Sequence, residues 1–409
     1  MREVKEEKSY KKKTKVKIFP MTVLIVLLLM IFFAFLFRDE LKKEKIIHPE
    51  IPEQEEIEEE IEEEIIEEEN IVLEQELSLI MVGDCLIHGA VYDDAREDNN
   101  KYNFDKMLDF VKPIVEKYDL AFYNQESILG GTKLGLSSYP TFNSPQEVGD
   151  SFLKLGFNLV SLANNHTLDR GKTAIYESHK YWKKQEGVMT AGSYSSEEER
   201  ITPNIMEKNG ITYTLLSYTT TTNGIPKPKD APYLVSTYNK EEVKKDIERL
   251  RDKVDLLMVS MHWGEEYSHT PNNSQKEIAN YLASLGVDII IGHHPHVVQP
   301  IDFIGDTMVI YSLGNFISSQ YGINKLTGLM ASVNIKKQTI DGKSKIILEN
   351  PQAELVYTYS KITSYRHSYK LYPYTMLNEN ILENYKEHYN KYMGIVTSMS
   401  KRIIPIGIK

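Results

Sequence analysis

Asp84, Glu126, Asn164, Asn165, His166, His262, His293, His294 and His296 are side chains that hold metal ions or move protons, and each follows a short apolar run. His294 and His296 lie two apart, so in extended backbone both rings are expected on one side. Paired imidazoles with Asp, Asn and Glu suit Mn²⁺, Zn²⁺ or Fe, whereas an all-oxygen site would suit Mg²⁺ or Ca²⁺ better. A divalent ion polarises a phosphoryl or carbonyl oxygen and lowers the pKa of a bound water. Taken singly, several of these residues have ordinary explanations. Gly83-Asp84 is also a common turn, Asn164-Asn165 a turn or helix cap, and His262 alone a core histidine. Trp263 is expected to pack as a wall. Cys85 is expected to be a buried thiol facing away from Asp84, not a nucleophile.

The runs that must position these residues are Leu77–Val82, Asp119–Tyr123, Phe157–Ala163, Val254–Met261, Val287–Ile291 and Thr307–Leu313. They alternate with longer amphipathic stretches, the pattern of an α/β domain. Ligands in open α/β sheets gather outside the carboxyl ends of strands. Five or six strand ends offering Asp, Asn, Glu and His together are hard to assign to chance. Helices are expected over 145–155 and 274–285, each closed by a glycine, and a hairpin over 301–310 turning at Gly305-Asp306. Residues 218–232, rich in Thr, Pro and Lys, read as a loop, either over the site or elsewhere on the surface.

The chain has 409 residues, a net charge of −11 and one cysteine. The single cysteine excludes an intramolecular disulfide and a cysteine zinc cluster. The charge argues against a nucleic-acid partner, and no P-loop or dinucleotide fingerprint is present. Residues 1–38 carry +6, residues 39–76 carry −15, and the remainder is nearly neutral. Residues 18–37 are uncharged and mostly apolar, about 30 Å if helical, and read as a transmembrane anchor. The lysines before it place the N-terminus in the cytoplasm and the bulk outside the cell. The expected organisation is a cytoplasmic basic tail over 1–17, the anchor over 18–37, an acidic spacer over 38–76, an α/β domain over 77–350 and a tyrosine-rich extension over 351–409.

Six motifs carry a resemblance. They are Gly83-Asp84, Asn124-x-Glu126, the stretch from Ala163-Asn164-Asn165-His166-Thr167 to Asp169 and Gly171, His262-Trp263-Gly264-x-Glu266-Tyr267, Gly292-His293-His294-Pro295-His296-Val297, and Ser312-Leu313-Gly314-Asn315-Phe316. In type and order they resemble the bacterial capsule-synthesis CapA family, including the PgsA-type proteins of poly-γ-glutamate synthesis. That family looks like a branch of the calcineurin-like metallophosphoesterases. The resemblance implies a four-layer α/β/β/α sandwich, here preceded by a single transmembrane helix. It further implies that Asp84, Glu126, Asn165, His262, His294 and His296 hold one or two ions, with Glu126 in the place of a bridging carboxylate. His166 would protonate a leaving group or steady the transition state, with Asp169 the second catalytic candidate. His293 looks like a local variant of a small residue.

The sequence departs from the phosphoesterase pattern where Asp-x-His is usual. Asp84 is followed by Cys85 and Leu86, and the nearest histidine is His88. Two functions are therefore expected as alternatives. One is a metal-dependent hydrolase or transferase acting on an anionic surface polymer or its lipid-linked intermediate. The other is a non-catalytic export or assembly subunit. In both, the expected partners are the cell membrane and other membrane subunits of a polymer synthase.

Overall fold

Alternate residues of two sets of strands face each other across the middle of the structure, and this shared apolar face sets the architecture. The computed structural model describes residues 72–98, 101–363 and 366–408. In chain order the strands are β1 (Leu73–Cys85), β2 (Leu120–Gln125), β3 (Leu159–Ser161), β4 (Met189–Ala191), β5 (Met206–Lys208), β6 (Ile211–Thr219), β7 (Leu256–His262) and β8 (Ile289–His293). They continue with β9 (Ile301–Ile304), β10 (Thr307–Ile310), β11 (Asn315–Ile317), β12 (Thr327–Ile340), β13 (Lys343–Thr363), β14 (Arg366–Pro373) and β15 (Ile404–Pro405). The larger sheet runs β14-β13-β12-β1-β2-β3-β4, with β11 beside β1 and β15 beside β13. The smaller runs β5-β6-β7-β8-β10-β9.

Leu79, Met81, Leu120 and Phe122 of the larger sheet share one buried cluster with Leu215, Leu256, Met258, Ile289 and Ile291 of the smaller. Each such side chain contributes about 1.5–3 kcal/mol when fully buried. The intervening residues point the other way. Ile80, Val82, Ala121 and Tyr123 meet Val91 of α1 (Gly89–Ala95) and Val148 and Phe152 of α2 (Glu147–Lys154). Farther along come α3 (Gly171–Trp182), α4 (Lys240–Leu250) and α5 (Asn273–Ser284). Val259 and Ile290 meet Val243 and Ile247 of α4 and Ile278 and Leu282 of α5. Asn239 caps α4 by accepting from the backbone N–H groups of Glu241 and Glu242. Asn272 and Gln275 form a reciprocal capping box on α5.

The expected fold is corrected. The described residues form a mixed α/β domain with two sheets rather than the expected sandwich preceded by a transmembrane helix. Parallel pairing joins β1 to β2, β2 to β3 and β3 to β4, and likewise β6 to β7, β7 to β8 and β8 to β10, while β1–β12, β12–β13 and β13–β14 pair antiparallel. Among the described residues no helix is long and apolar enough to cross a membrane. Residues 18–37, where that helix is expected, lie outside the described residues, as do the basic tail and the spacer up to residue 71. The last residues of the acidic stretch belong to β1, where Lys336 of β12 pairs with Glu74 at 3.4 Å. Residues after 350 complete β13, form β14 and supply α6 (Tyr385–Val396), and Tyr357, Tyr374, Tyr389 and Tyr392 lie in the central cluster.

Candidate metal centre

Pairing register brings the chemistry-bearing strand ends to one edge. Asp84 is opposite Asn124 across β1 and β2, Asn124 opposite Ser161 across β2 and β3, and His262 opposite His293 across β7 and β8. Asp84 also pairs with Asn315 of β11. Two glycines allow the chains to converge. A Cβ on Gly83 would lie 1.8 Å from the Gly314 carbonyl oxygen, and one on Gly292 would lie 2.1 Å from that of Tyr311. No side chain fits at either place.

Asp84, Glu126, His262, His293 and His296 are buried, as are Asn165 and His294. Asp84 accepts from Asn124 Nδ2 at 2.8 Å and from the His294 backbone N–H at 3.3 Å. His296 Nδ1 stands 3.2 Å from Asp84 Oδ2 and 2.9 Å from Asn315 Oδ1. That arrangement leaves His296 Nε2 facing Glu126 Oε1 at 3.7 Å. His262 Nε2 also lies 3.7 Å from Glu126 Oε1 and 2.9 Å from Asn165 Oδ1. The ring centroid of His294 lies 4.5 Å from that of His262 and 6.0 Å from that of His296.

The backbone that presents the pair is not extended. His294 has φ 102° and His296 φ 58°, left-handed values that non-glycine residues adopt at a cost. Both rings reach the same centre because the chain turns there, not because of strand alternation.

Side-chain acceptors without a hydrogen-bond partner concentrate at this point. Both oxygens of Glu126, Oδ1 of Asn124 and Nδ1 of His294 are buried and unpaired. A buried carboxylate left so costs several kcal/mol, and a divalent ion would supply what the Glu126 and His294 lone pairs lack. Ligand atoms of Asp84, Glu126 and His296 lie within 4.8 Å of one another, as do those of Glu126, His262 and His294. The residues therefore fit a metal ion, and Glu126 belongs to both groups. Charge tells the same story. Burial, with Asp84 close by, pushes Glu126 well above the usual carboxylate range. Burial would also raise Asp84, but the hydrogen bond and charge of His296 hold it below its ordinary value. Burial lowers imidazoles, yet Glu126 and Asp84 lift His296 to about 9. His262, with burial and neighbouring histidines against it, falls well below its ordinary value, and His294 to about 4. The neutral imidazoles of His262 and His294, with the His296 ring and two carboxyl groups beside them, offer a ligand shell for a cation.

Beside this centre opens a cleft of about 690 Å³. Asn165, His166, Asp169 and His296 line it with Tyr139, Glu266, Tyr267, Tyr321 and Lys325. His166 Nδ1 is 2.7 Å from Asp169 Oδ2, which also accepts from the Phe142 backbone N–H at 2.7 Å. The Phe142 ring packs edge-on to His166 with centroids 4.7 Å apart. The imidazole is thus held by Nδ1, and its Nε2 is left for the cleft.

All eight residues expected at the site are thus brought together, six around the centre and His166–Asp169 on the cleft wall. His88, the histidine nearest the first motif, joins no metal group among the described residues. It lines the cleft and receives the Ser319 backbone N–H on Nδ1 at 3.3 Å. Cys85 is buried, and burial with Glu126 and Asp84 nearby pushes its thiol far up, so it is no nucleophile. Residues that sequence reasoning left without a role are Asn124, Asn315, Ser260 and Asn223. The strand-end rule reaches Asn124 and Asn315, but only register shows that they hold Asp84 and His296. Asn223, in the loop over 218–232, approaches Asn165 Nδ2 at 3.3 Å and carries no distinguishing signal in the sequence.

Residues 78–320, more than half of the chain, match the family described as bacterial capsule synthesis protein PGA_cap. The chain is 29% identical over 184 residues to the PGA biosynthesis protein CapA of Bacillus subtilis (strain 168), covering 45% of this chain and 48% of that protein. It is 29% identical over 256 residues to the capsule biosynthesis protein CapA of Bacillus anthracis, covering 60% and 61%. A probable polyglutamine synthesis accessory protein of Mycobacterium tuberculosis (strain ATCC 25618 / H37Rv) is 29% identical over 69 residues, covering 17% and 18%. The alignments thus span about half to three-fifths of the length of the two Bacillus relatives.

Proposed function

The chain belongs to the bacterial capsule synthesis protein PGA_cap family, and from that premise we propose that it serves capsule polymer synthesis at the cell surface as a metal-dependent hydrolase or transferase. Its substrate would be an anionic surface polymer or a lipid-linked intermediate of one. Other subunits of a polymer synthase would be its partners.

One observation carries the catalytic reading: the unpaired acceptors of Glu126, Asn124 and His294 lie beside a cleft walled by the His166–Asp169 pair. Asp84, Glu126, Asn165, His262, His294 and His296 would hold the ion, which when bound polarises a substrate oxygen and acidifies water. Asp169 fixes the His166 ring through Nδ1. His166 Nε2 then delivers a proton to a leaving group in the cleft, a contribution of about 10²–10⁴-fold. Lys325 and Glu266 line the same cleft, and Lys325 is the lysine there that meets an anionic substrate.

The second reading, a non-catalytic assembly subunit, is favoured by the first motif. Leu86 occupies the position where an imidazole would follow Asp84. The two readings separate in a polymer-producing host whose own copy is deleted. The full chain is expected to restore polymer output, and His166→Ala to restore less than a hundredth of it while binding metal like the parent. Full restoration by His166→Ala would contradict catalysis and leave the assembly role.

A further inference from the structure

His262 can serve the metal centre in only one of its two neutral forms. Its Nε2 faces Asn165 Oδ1 and Glu126 Oε1, so Nε2 is the atom turned toward the ion. A ligating nitrogen carries no proton, which places the His262 proton on Nδ1. That atom lies 2.8 Å from Nδ1 of His293. One nitrogen of such a pair donates and the other accepts. With His262 Nδ1–H donating, His293 Nδ1 accepts and the His293 proton sits on Nε2. Nε2 faces Ser260 Oγ at 2.5 Å, so the hydroxyl oxygen receives it. Ser260, His262 and His293 are all fully buried, and water does not compete for these bonds.

His293 could instead be read as a ligand, because its Nδ1 also stands 3.9 Å from Asp84 Oδ1. An ion shared by Asp84, His262 and His293 would have to take both Nδ1 atoms. The two Nδ1 atoms are 2.8 Å apart, the separation of an N–H···N hydrogen bond. Both nitrogens of His293 are therefore occupied within the protein.

We infer that His293 and Ser260 form a positioning relay that holds His262 in its metal-ligating tautomer and orientation, and that His293 is not itself a ligand. The relay lies on adjacent parallel strands, with Ser260 opposite Ile291 and His262 opposite His293. The spacing Ser260-x-His262 on β7 puts both side chains on the face that His293 of β8 shares. This inference rests on the metal-centre reading. Outer partners of metal-bound histidines set ring orientation and basicity, and their loss weakens metal affinity about 10- to 100-fold.

The test uses the full chain with Zn²⁺ or Co²⁺ alone. Zn²⁺ affinity is measured by competition with a chromogenic chelator, and the Co²⁺ form by its visible absorption bands. His293→Ala is expected to bind Zn²⁺ about 10- to 100-fold more weakly, with ion stoichiometry and Co²⁺ band positions unchanged. His293→Asn, whose Oδ1 replaces the Nδ1 acceptor, is expected to recover most of the affinity. Ser260→Ala is expected to lose affinity in the same direction by less. If His293→Ala does not fold, the Asn and Ser260 variants decide between the readings. Parent affinity in all variants would overturn the relay alone. Shifted Co²⁺ bands or one ion fewer in the His293 variants would make His293 a ligand and overturn it likewise. If the parent binds neither metal, the metal-centre reading fails and the relay with it.

Discussion

Glu126 is the residue on which the site turns. Its two oxygens are buried and unpaired, and it stands between Asp84 and three imidazole rings. Without an ion, burial and Asp84 favour its protonated form, so Glu126→Gln keeps nearly the same charge and shape. Metal-free Glu126→Gln is therefore expected to match the parent in stability within about 1 kcal/mol. The difference emerges on adding Zn²⁺ or Mn²⁺. An ion at a hundred times its dissociation constant stabilises the folded parent by about 2.7 kcal/mol, while the variant is expected to show little or no gain. Thermal melts with and without metal make the comparison. An equal metal-dependent rise in both proteins would remove Glu126 from the ligand set.

At the scale of elements, the strand ends explain why these residues meet. Gly83 and Gly292 are the points of closest approach, each one residue from a residue of the cluster, Asp84 and His293. Gly292→Ala would drive its Cβ against the Tyr311 and Ile310 carbonyl oxygens, 2.1 and 2.5 Å away. Backbone must move to accept it, and a loss of about 3 kcal/mol or more is expected from the denaturant midpoint. A change under 0.5 kcal/mol would mean that β8 and β10 are looser than described. Much of this was legible from sequence. Apolar runs ending in Asp, Asn, Glu or His became β1, β2, β3, β7 and β8, and the Gly305-Asp306 turn joins β9 to β10. Two features were not legible. His294 and His296 read as strand residues because spacing alone does not reveal left-handed φ. The pairing of β12 with β13 and of β13 with β14 is carried by long antiparallel strands bearing many lysines, glutamates and tyrosines, whose mixed pattern does not announce a buried face.

At the scale of the whole molecule, the family match ends at residue 320 but the packed core continues through α6. Away from the metal centre, buried histidines couple this core to pH. On α3, His179 Nε2 lies 3.1 Å from Ser193 Oγ, and burial lowers its pKa to about 4 from an ordinary 6.5. Between those values the unfolded chain binds a proton that the folded chain does not. Stability is therefore fully present above about pH 6.5 and falls as pH drops toward 4, at up to about 1.4 kcal/mol per pH unit. His179→Gln keeps a donor for Ser193 and removes this titration. The stability difference between pH 7 and pH 5, read from denaturant melts of metal-free protein, is expected to shrink by about 2 kcal/mol. An unchanged difference would show that His179 is already protonated in the fold.

The central claim is that the strand ends hold a metal ion, and elemental analysis of the purified full chain tests it most directly. About one or two equivalents of Mn, Zn or Fe are expected in the parent, and none in a His294→Ala/His296→Ala double variant that retains its fold. A parent that stays metal-free after reconstitution, or a double variant that keeps its metal, would contradict it.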